Sequence, residues 1–418
     1  MPSSSPGNGN GAVPDPEIPE PSFGERLKYL RSRRGMTREV LGGLVGKSAE
    51  WVKAIENGRL QQPKLHMLLR LAEALRIREL SELTGDRSVP IRVFTGPGHP
   101  ALSAVRAAIN TIAWADGPPE PLDHLQARLD AAWRARHASP DHRTVLGAIL
   151  PGLIRDAQRA ASFYEGAEQR RAHAILAETY NLAQFFLAYQ PAADLLWRVA
   201  ERAIATAQES DEPYAIGASV WLLAQAHRDA GEFEVAEDVN RQGLELLRPR
   251  MDDAPASLRG IWGALLFEVA YTAARAGERG RAWGYWDQAN DVAQRLPAAF
   301  YDPMTSFSRI IMGAHAMTVA VESRQGGESR RQARRTAHLA IPSQPRRGRH
   351  LIEVARGCHL ANDLKAALGT LDSAYKTAPE TIRYNGYARK ILFELATEGP
   401  VDLRRDANGL ADRIGMLV

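Results

Sequence analysis

Between Thr37 and Gly58 the chain reads T-x-x-x-L-x-x-x-V-G-x-S-x-x-x-V-x-x-I-E-N-G. Thr37 and Ser48 have hydroxyls that accept hydrogen bonds from helix-start amides, so each predicts an N-cap. Gly46 between them supplies a tight turn, and Gly58 a C-terminal cap. Two short helices joined by glycine at this spacing predict a helix-turn-helix, whose second helix, from Ser48 to Asn57, suits the major groove of a duplex. Val45, Val52 and Ile55 fall on its inward side. Residues 22–87 hold 14 Lys and Arg against 8 Asp and Glu. A local positive excess on a small module points to a polyanion.

The surrounding elements must hold that pair of helices. Phe23, Leu27 and Leu30 predict an amphipathic helix ended by Gly35. Leu65, Leu68, Leu69, Leu71, Ala72 and Leu75 predict a fourth helix from Lys64 to Leu75, and a short fifth ends at Leu83. The whole pattern resembles the XRE-type, lambda-repressor-like DNA-binding domain. That resemblance implies phosphate contacts from Thr37, Arg38, Asn57 and Arg59, joined by Lys47 and Lys53. It implies base readers at Ala49, Glu50 and Ala54, with Ser48 heading their helix. Glu50 can accept from cytosine N4, and alanine can touch a thymine methyl. Two alanines depart from the polar readers usual in phage repressors. Readout per half-site is therefore modest, and affinity leans on phosphates and on a homodimer on double-stranded DNA. Trp51 beside the readers is expected to pack against the preceding helix or the neighbouring domain, with a contact to the DNA backbone as the alternative.

The 418 residues carry a net +4 that is unevenly placed: −3 over residues 1–21, +6 over 22–87 and +1 over the remainder. Residues 1–21, rich in Pro, Gly and Ser, predict a disordered tail without the pattern of a signal peptide. Residues 88–100, with three Pro and two Gly, predict a linker. From residue 101 to 418 the chain is Ala- and Leu-rich and broken at helix-length intervals by Pro and Gly, so the fold class is all-α. The single Cys358 excludes a disulfide framework and a cysteine zinc site. No apolar run is long enough to span a membrane. A cytoplasmic, nucleoid-associated protein is expected.

The helical body has an internal register. Small or apolar positions lie twelve apart at 224/236, 270/282 and 354/366, with turns at Gly231, Gly277 and Asn362. This resembles the tetratricopeptide repeat of about 34 residues, although the step from 236 to 282 is longer. His99-Pro100-Ala101-Leu102, the Leu176-to-Tyr180 helix and Ala378-Pro379-Glu380 resemble landmarks of actinobacterial XRE regulators with a C-terminal tetratricopeptide-like domain. The resemblance implies a solenoid that dimerises and senses a peptide or small molecule on its concave side. Residues Tyr180, Asn181, Gln184, Trp221, Gln225, Arg228, Trp262, Phe267, Tyr271 and Arg275 are the groove candidates. For Trp221, Phe267 and Tyr271 a place in the inter-repeat core is the stronger alternative. Arg324, Arg330, Arg331, Arg334, Arg335, Arg346, Arg347 and Arg349 form a basic segment, read first as a solvated helix face and second as a carboxylate or phosphate site or an extension of the DNA footprint. A scaffold that recruits a partner protein without a ligand is the alternative function. No catalytic motif is present, so no enzyme, cofactor or metal is expected. His350 and His359 are too far apart along a helix to share an ion.

Overall fold

The computed structural model describes residues 21–63, 65–75, 77, 81–85, 98–111, 117–336 and 338–416. The expected tail, but for Pro21, and the expected linker up to residue 97 lie outside them. Among the described residues every regular element is a helix. They fall into two compact units with the bounds Met1–Gly58 plus Leu68–Arg87, and Arg59–Met67 plus Ser88–Val418. Residues 59–67, kept with the first block in the sequence reading, thus belong to the second unit.

The first unit holds α1 (Phe23–Arg33), α2 (Arg38–Leu44), α3 (Ala49–Glu56), most of α4 (Leu65–Ala74) and α5 (Ser81–Thr84). Each start and stop follows from a named residue. Ser22 and Glu25 form a reciprocal capping box on α1. Thr37 accepts from the Val40 amide and Ser48 from the Trp51 amide. Gly35, Gly46 and Gly58 all take the left-handed φ that ends their helices, at +63°, +69° and +66°. Leu27, Leu41, Val45, Val52, Leu71 and Leu83 are fully buried and make the core.

The second unit is a tetratricopeptide-like succession of helical hairpins. Its helices are α6 (Leu102–Asn110), α7 (Leu122–Ala138), α8 (His142–Phe163), α9 (Gly166–Leu187), α10 (Ala193–Ser210), α11 (Pro213–Ala230) and α12 (Phe233–Leu247). Then follow α13 (Ala256–Ala276), α14 (Arg279–Arg295), α15 (Met312–Glu322), α16 (Gly326–Arg335), α17 (Gln344–Leu360) and α18 (Leu364–Thr377). The last are α19 (Pro379–Tyr384), α20 (Gly386–Thr397) and α21 (Val401–Arg413).

The hairpin register holds in two copies and shifts in the third. Ala224 with Ala236 and Ala270 with Ala282 are fully buried where helices meet. The third pair is Ala355 with Ala367, both fully buried, rather than Val354 with Ala366, which are half-buried. The turn residue explains the correction. Gly231, Gly277 and Asn362 all adopt positive φ, and the buried residue lies seven positions before and five after each. A further copy uses Arg324 at φ +55°, with Met317 before it and Ser329 after it, both buried. An arginine at this position leaves no glycine to mark the turn in the sequence.

The first helices of successive hairpins pack side by side: α9 on α11, α11 on α13, α13 on α15 and α15 on α17. α17 also packs on α7, and α7 on α9, so six helices form a closed circuit. Polar bonds secure the closure. Gln344 donates to the Ala138 carbonyl at 2.8 Å. The Glu380 carboxylate accepts from the backbone amides of Arg143 and Thr144 and from the Thr144 hydroxyl. His99, at the end of the expected linker, is buried beside this carboxylate, with Nε2 at 3.6 Å, and edge-on to Phe186. Two of the sequence landmarks therefore meet at one point.

Candidate functional site

In the first unit the geometry centres on α3. Val52, Ile55 and Glu56 are buried, which turns Glu50 outward and leaves Ala49, Lys53 and Ala54 half-exposed. Glu50 and Lys53 pair across one turn at 3.3 Å. Thr37 and Ser48 are exposed and spend their hydroxyl acceptor capacity on helix caps. Asn57 is exposed at the C-cap of α3, and Lys47 is half-buried in the turn. Arg59 is exposed within the bounds of the second unit.

Arg38 has a structural duty that its sequence position did not reveal. Its Nε donates to Glu56 Oε2 at 2.8 Å, while Arg31 Nε donates to Glu56 Oε1 at 2.5 Å. Burial by itself would raise the Glu56 carboxyl. The bonds from Arg31 and then Arg38 overcome it and hold the group below its ordinary value. Arg38 thus ties the start of α2 to the end of α3. The turn between them is close: Lys47 N donates to the Gly42 carbonyl at 2.7 Å. A Cβ on Gly42 would lie 2.5 Å from the Lys47 carbonyl oxygen, so only glycine fits.

In the second unit the closed circuit surrounds a cavity of about 360 Å³. All six helices contribute: Arg136 from α7, Gln184 from α9, Trp221 from α11, Phe267 from α13, His315 from α15 and Arg346 from α17. Of the groove candidates, Gln184, Trp221, Gln225, Arg228, Phe267 and Tyr271 line it. Tyr180, Asn181, Trp262 and Arg275 do not. Tyr180 is buried and its hydroxyl meets Gln158; Asn181 is fully buried and donates to Ser219. Trp262 lies under Arg248, 5.9 Å from its guanidinium carbon. Arg275 turns to Asp229 and Glu322. Tyr180, Asn181 and Arg275 share a helix face with the lining residues Gln184 and Tyr271 but lie a turn away along the axis.

The basic segment divides. Arg330, Arg331, Arg334 and Arg335 are exposed, as a solvated face would be. Arg346 and Arg349 line the cavity. They join Arg136, Arg143 and Arg228, while Asp229 and Glu268 are the carboxylates in the same wall. Arg228 pairs with Glu268, and Arg349 with Glu353 at 2.6 Å. Among the described residues no ion pair joins Arg136 or Arg346 to a carboxylate. Arg136 instead stacks on Phe185, its guanidinium carbon 4.1 Å from the ring centre. Burial pushes the Arg136 guanidinium down to about 10, and the charges of Arg143 and Arg346 push the same way. His315 lies flat on Phe267 at 3.6 Å, and burial keeps it well below its ordinary value. Arg136 and Arg143 carried no sequence signal, because the circuit that brings them to α17 depends on pairings some 200 positions apart.

Among the described residues no cluster of His, Cys, Asp and Glu could hold a metal ion, and no helix is long and apolar enough to cross a membrane.

Residues 22–82 match the family model of the helix-turn-helix domain. This segment is a helix-turn-helix domain. The HTH-type transcriptional repressor RghR of Bacillus subtilis strain 168 is 45% identical over 56 residues, 13% of this chain and 42% of that protein. The chain thus spans less than half the length of that relative. Among solved structures, the Rap protein complexed with Competence and Sporulation Factor aligns over 70% of this chain and 88% of its own, at 11% identity and a TM-score of 0.43. PlcR of Bacillus thuringiensis, in complex with the peptide PapR7 and DNA, aligns over 85% and 97%, at 13% identity and a TM-score of 0.32. BtubC from P. vanneervenii aligns over 61% and 91%, at 14% identity and a TM-score of 0.38.

Proposed function

We propose that the chain is a transcriptional regulator, not an enzyme, that binds double-stranded DNA through its helix-turn-helix domain and senses a ligand through its helical body. The observation that carries the DNA reading is α3. Its apolar side is sealed into the core, and its Ser48-capped start and Glu50 face outward. That is the arrangement by which a recognition helix reaches base edges. Ala49, Glu50 and Ala54 read bases in this account, and Lys47, Lys53 and Asn57 meet phosphates. The sequence relation to a Bacillus repressor over 56 residues supports regulation without fixing its direction.

A sensing body is supported over a bare scaffold by the cavity, where polar side chains from six helices converge on one space. A homodimer, placing two heads on paired half-sites, completes the proposal, in a cytoplasmic setting. The experiment is to map the genomic fragments bound by the full chain and measure affinity for them against random duplex of equal length. Affinity at least a thousandfold higher for the mapped sites supports the reading; equal affinity overturns it. Solution mass tests the dimer, with about twice the 45.9 kDa of one chain expected.

A further inference from the structure

The wall of the central cavity holds hydrogen-bond donors in excess of acceptors. Arg136 Nε, Arg143 Nε, Gln184 Nε2 and Trp221 Nε1 are buried and have no acceptor among the described residues. Each of these residues is at least nine-tenths buried, and each lines the cavity. Arginine and indole nitrogens can only donate, so an acceptor is what they lack. A buried donor without a partner costs about 1–3 kcal/mol, and four around one space are not an accident of packing. Charge points the same way. Five arginines face two carboxylates, Asp229 and Glu268, and Arg228 and Glu268 already satisfy each other. Arg136 and Arg346 bring uncompensated charge from opposite ends of the circuit, on α7 and α17. Flat apolar surface lies beside them in Phe185, Trp221 and Phe267.

We propose that this cavity binds a small organic anion, a carboxylate or phosphate on a flat hydrophobic body. Arg136 and Arg346 grip the charge, Gln184 and the Trp221 indole donate to its oxygens, and the rings hold the body. The size of the cavity suits a ligand of two or three rings. This inference rests on the reading of the body as a sensor, and it names the chemical class sensed. The anion would tie α17 to α7 across the seam of the circuit.

The test uses the full chain and two probes of the same ring skeleton, one charged and one neutral: anilinonaphthalene sulfonate and phenylnaphthylamine. Saturable binding of the sulfonate, one per chain, is expected from its fluorescence. Arg346→Gln and Arg136→Met should each weaken the sulfonate at least tenfold, the loss of one charge-assisted contact, and change the neutral probe less than twofold. Arg334→Gln, on the exposed face, should leave both unchanged. Melting curves establish that each variant is folded; if Arg136→Met is not, Arg346→Gln and Arg346→Lys, which keeps the charge, decide the matter. Equal affinity for the two probes, or an equal effect of Arg334→Gln, overturns the proposal. Because no DNA is present, a failure here leaves the DNA-binding measurement standing, and a failure there leaves this one.

Discussion

The carboxylate of Glu380 accepts from the hydroxyl of Thr144 at 2.6 Å, across 236 positions of sequence. It caps the start of α8 in place of Asp141, whose own side chain makes no capping bond. A negative charge at a helix N-terminus satisfies free amides and opposes the positive end of the helix dipole. Glu380→Ala should therefore cost the second unit about 2–4 kcal/mol, since buried amides lose their acceptor. Thr144→Val should cost less, and the double variant less than the sum of the two. Denaturant melting of the four proteins measures this; strict additivity would remove the contact from the account.

In the first unit, Arg38 and Lys53 should behave differently although both are basic and near α3. Arg38→Ala leaves Glu56 with Arg31 alone and should lower folding stability by about 1–3 kcal/mol. Lys53→Ala should leave melting unchanged and reduce the salt slope of DNA binding by about one. Comparing melting with salt titration for each variant separates a fold effect from a contact effect. An unchanged slope in Lys53→Ala withdraws that residue from the phosphate contacts.

Gly42 is the third position to test. Alanine there drives a Cβ against the Lys47 carbonyl, and backbone cannot yield as a side chain can. Gly42→Ala should displace α3 and abolish DNA affinity. Gly43→Ala, next in the chain, meets nothing within 4 Å and should be tolerated. Wild-type affinity in Gly42→Ala would show that α3 need not sit where the turn places it.

Acid should weaken the second unit through Glu322. Burial alone would raise its carboxyl, but Arg356 and Arg275 overcome this and hold it at about 2 against an ordinary 4.5. Arg349 acts in the same sense, and the Tyr271 hydroxyl donates to the carboxylate at 3.4 Å. A depressed acid contributes stability that is complete above its ordinary value and is lost as pH falls toward the folded value. The loss should fall between about pH 4.5 and about pH 2. Glu322→Gln should be less stable at neutral pH and show a shallower decline on acidification. Parallel melting curves against pH would contradict this role.

Local rules were legible in the sequence wherever one residue type is physically required. Gly35, Gly46, Gly58, Thr37 and Ser48 all act as their chemistry demands. Where other residues can do the same work, the reading drifted. Arg324 takes a left-handed turn without being glycine, so its hairpin carries no glycine signal, and Val354 and Ala355 are both apolar enough to fill the buried position that Ala355 takes. The cavity was half visible. Gln184, Trp221 and Tyr271 stand on helices where the repeat resemblance implies a groove, although the core was the stronger alternative for Trp221 and Tyr271, whereas Arg136 and Arg143 enter it through the contact of α7 with α17. No local pattern encodes a pairing at that separation.

The closure of α17 onto α7 alters how the body should come apart. An open array of repeats has two ends from which it can fray, and its units melt almost one by one. Joined ends remove those starting points, as in a hoop, where slack introduced anywhere is shared around the whole circumference. The six helices of the circuit should therefore unfold in one step while the seam holds. With the seam cut, they should melt in stages like an ordinary ribbon of hairpins.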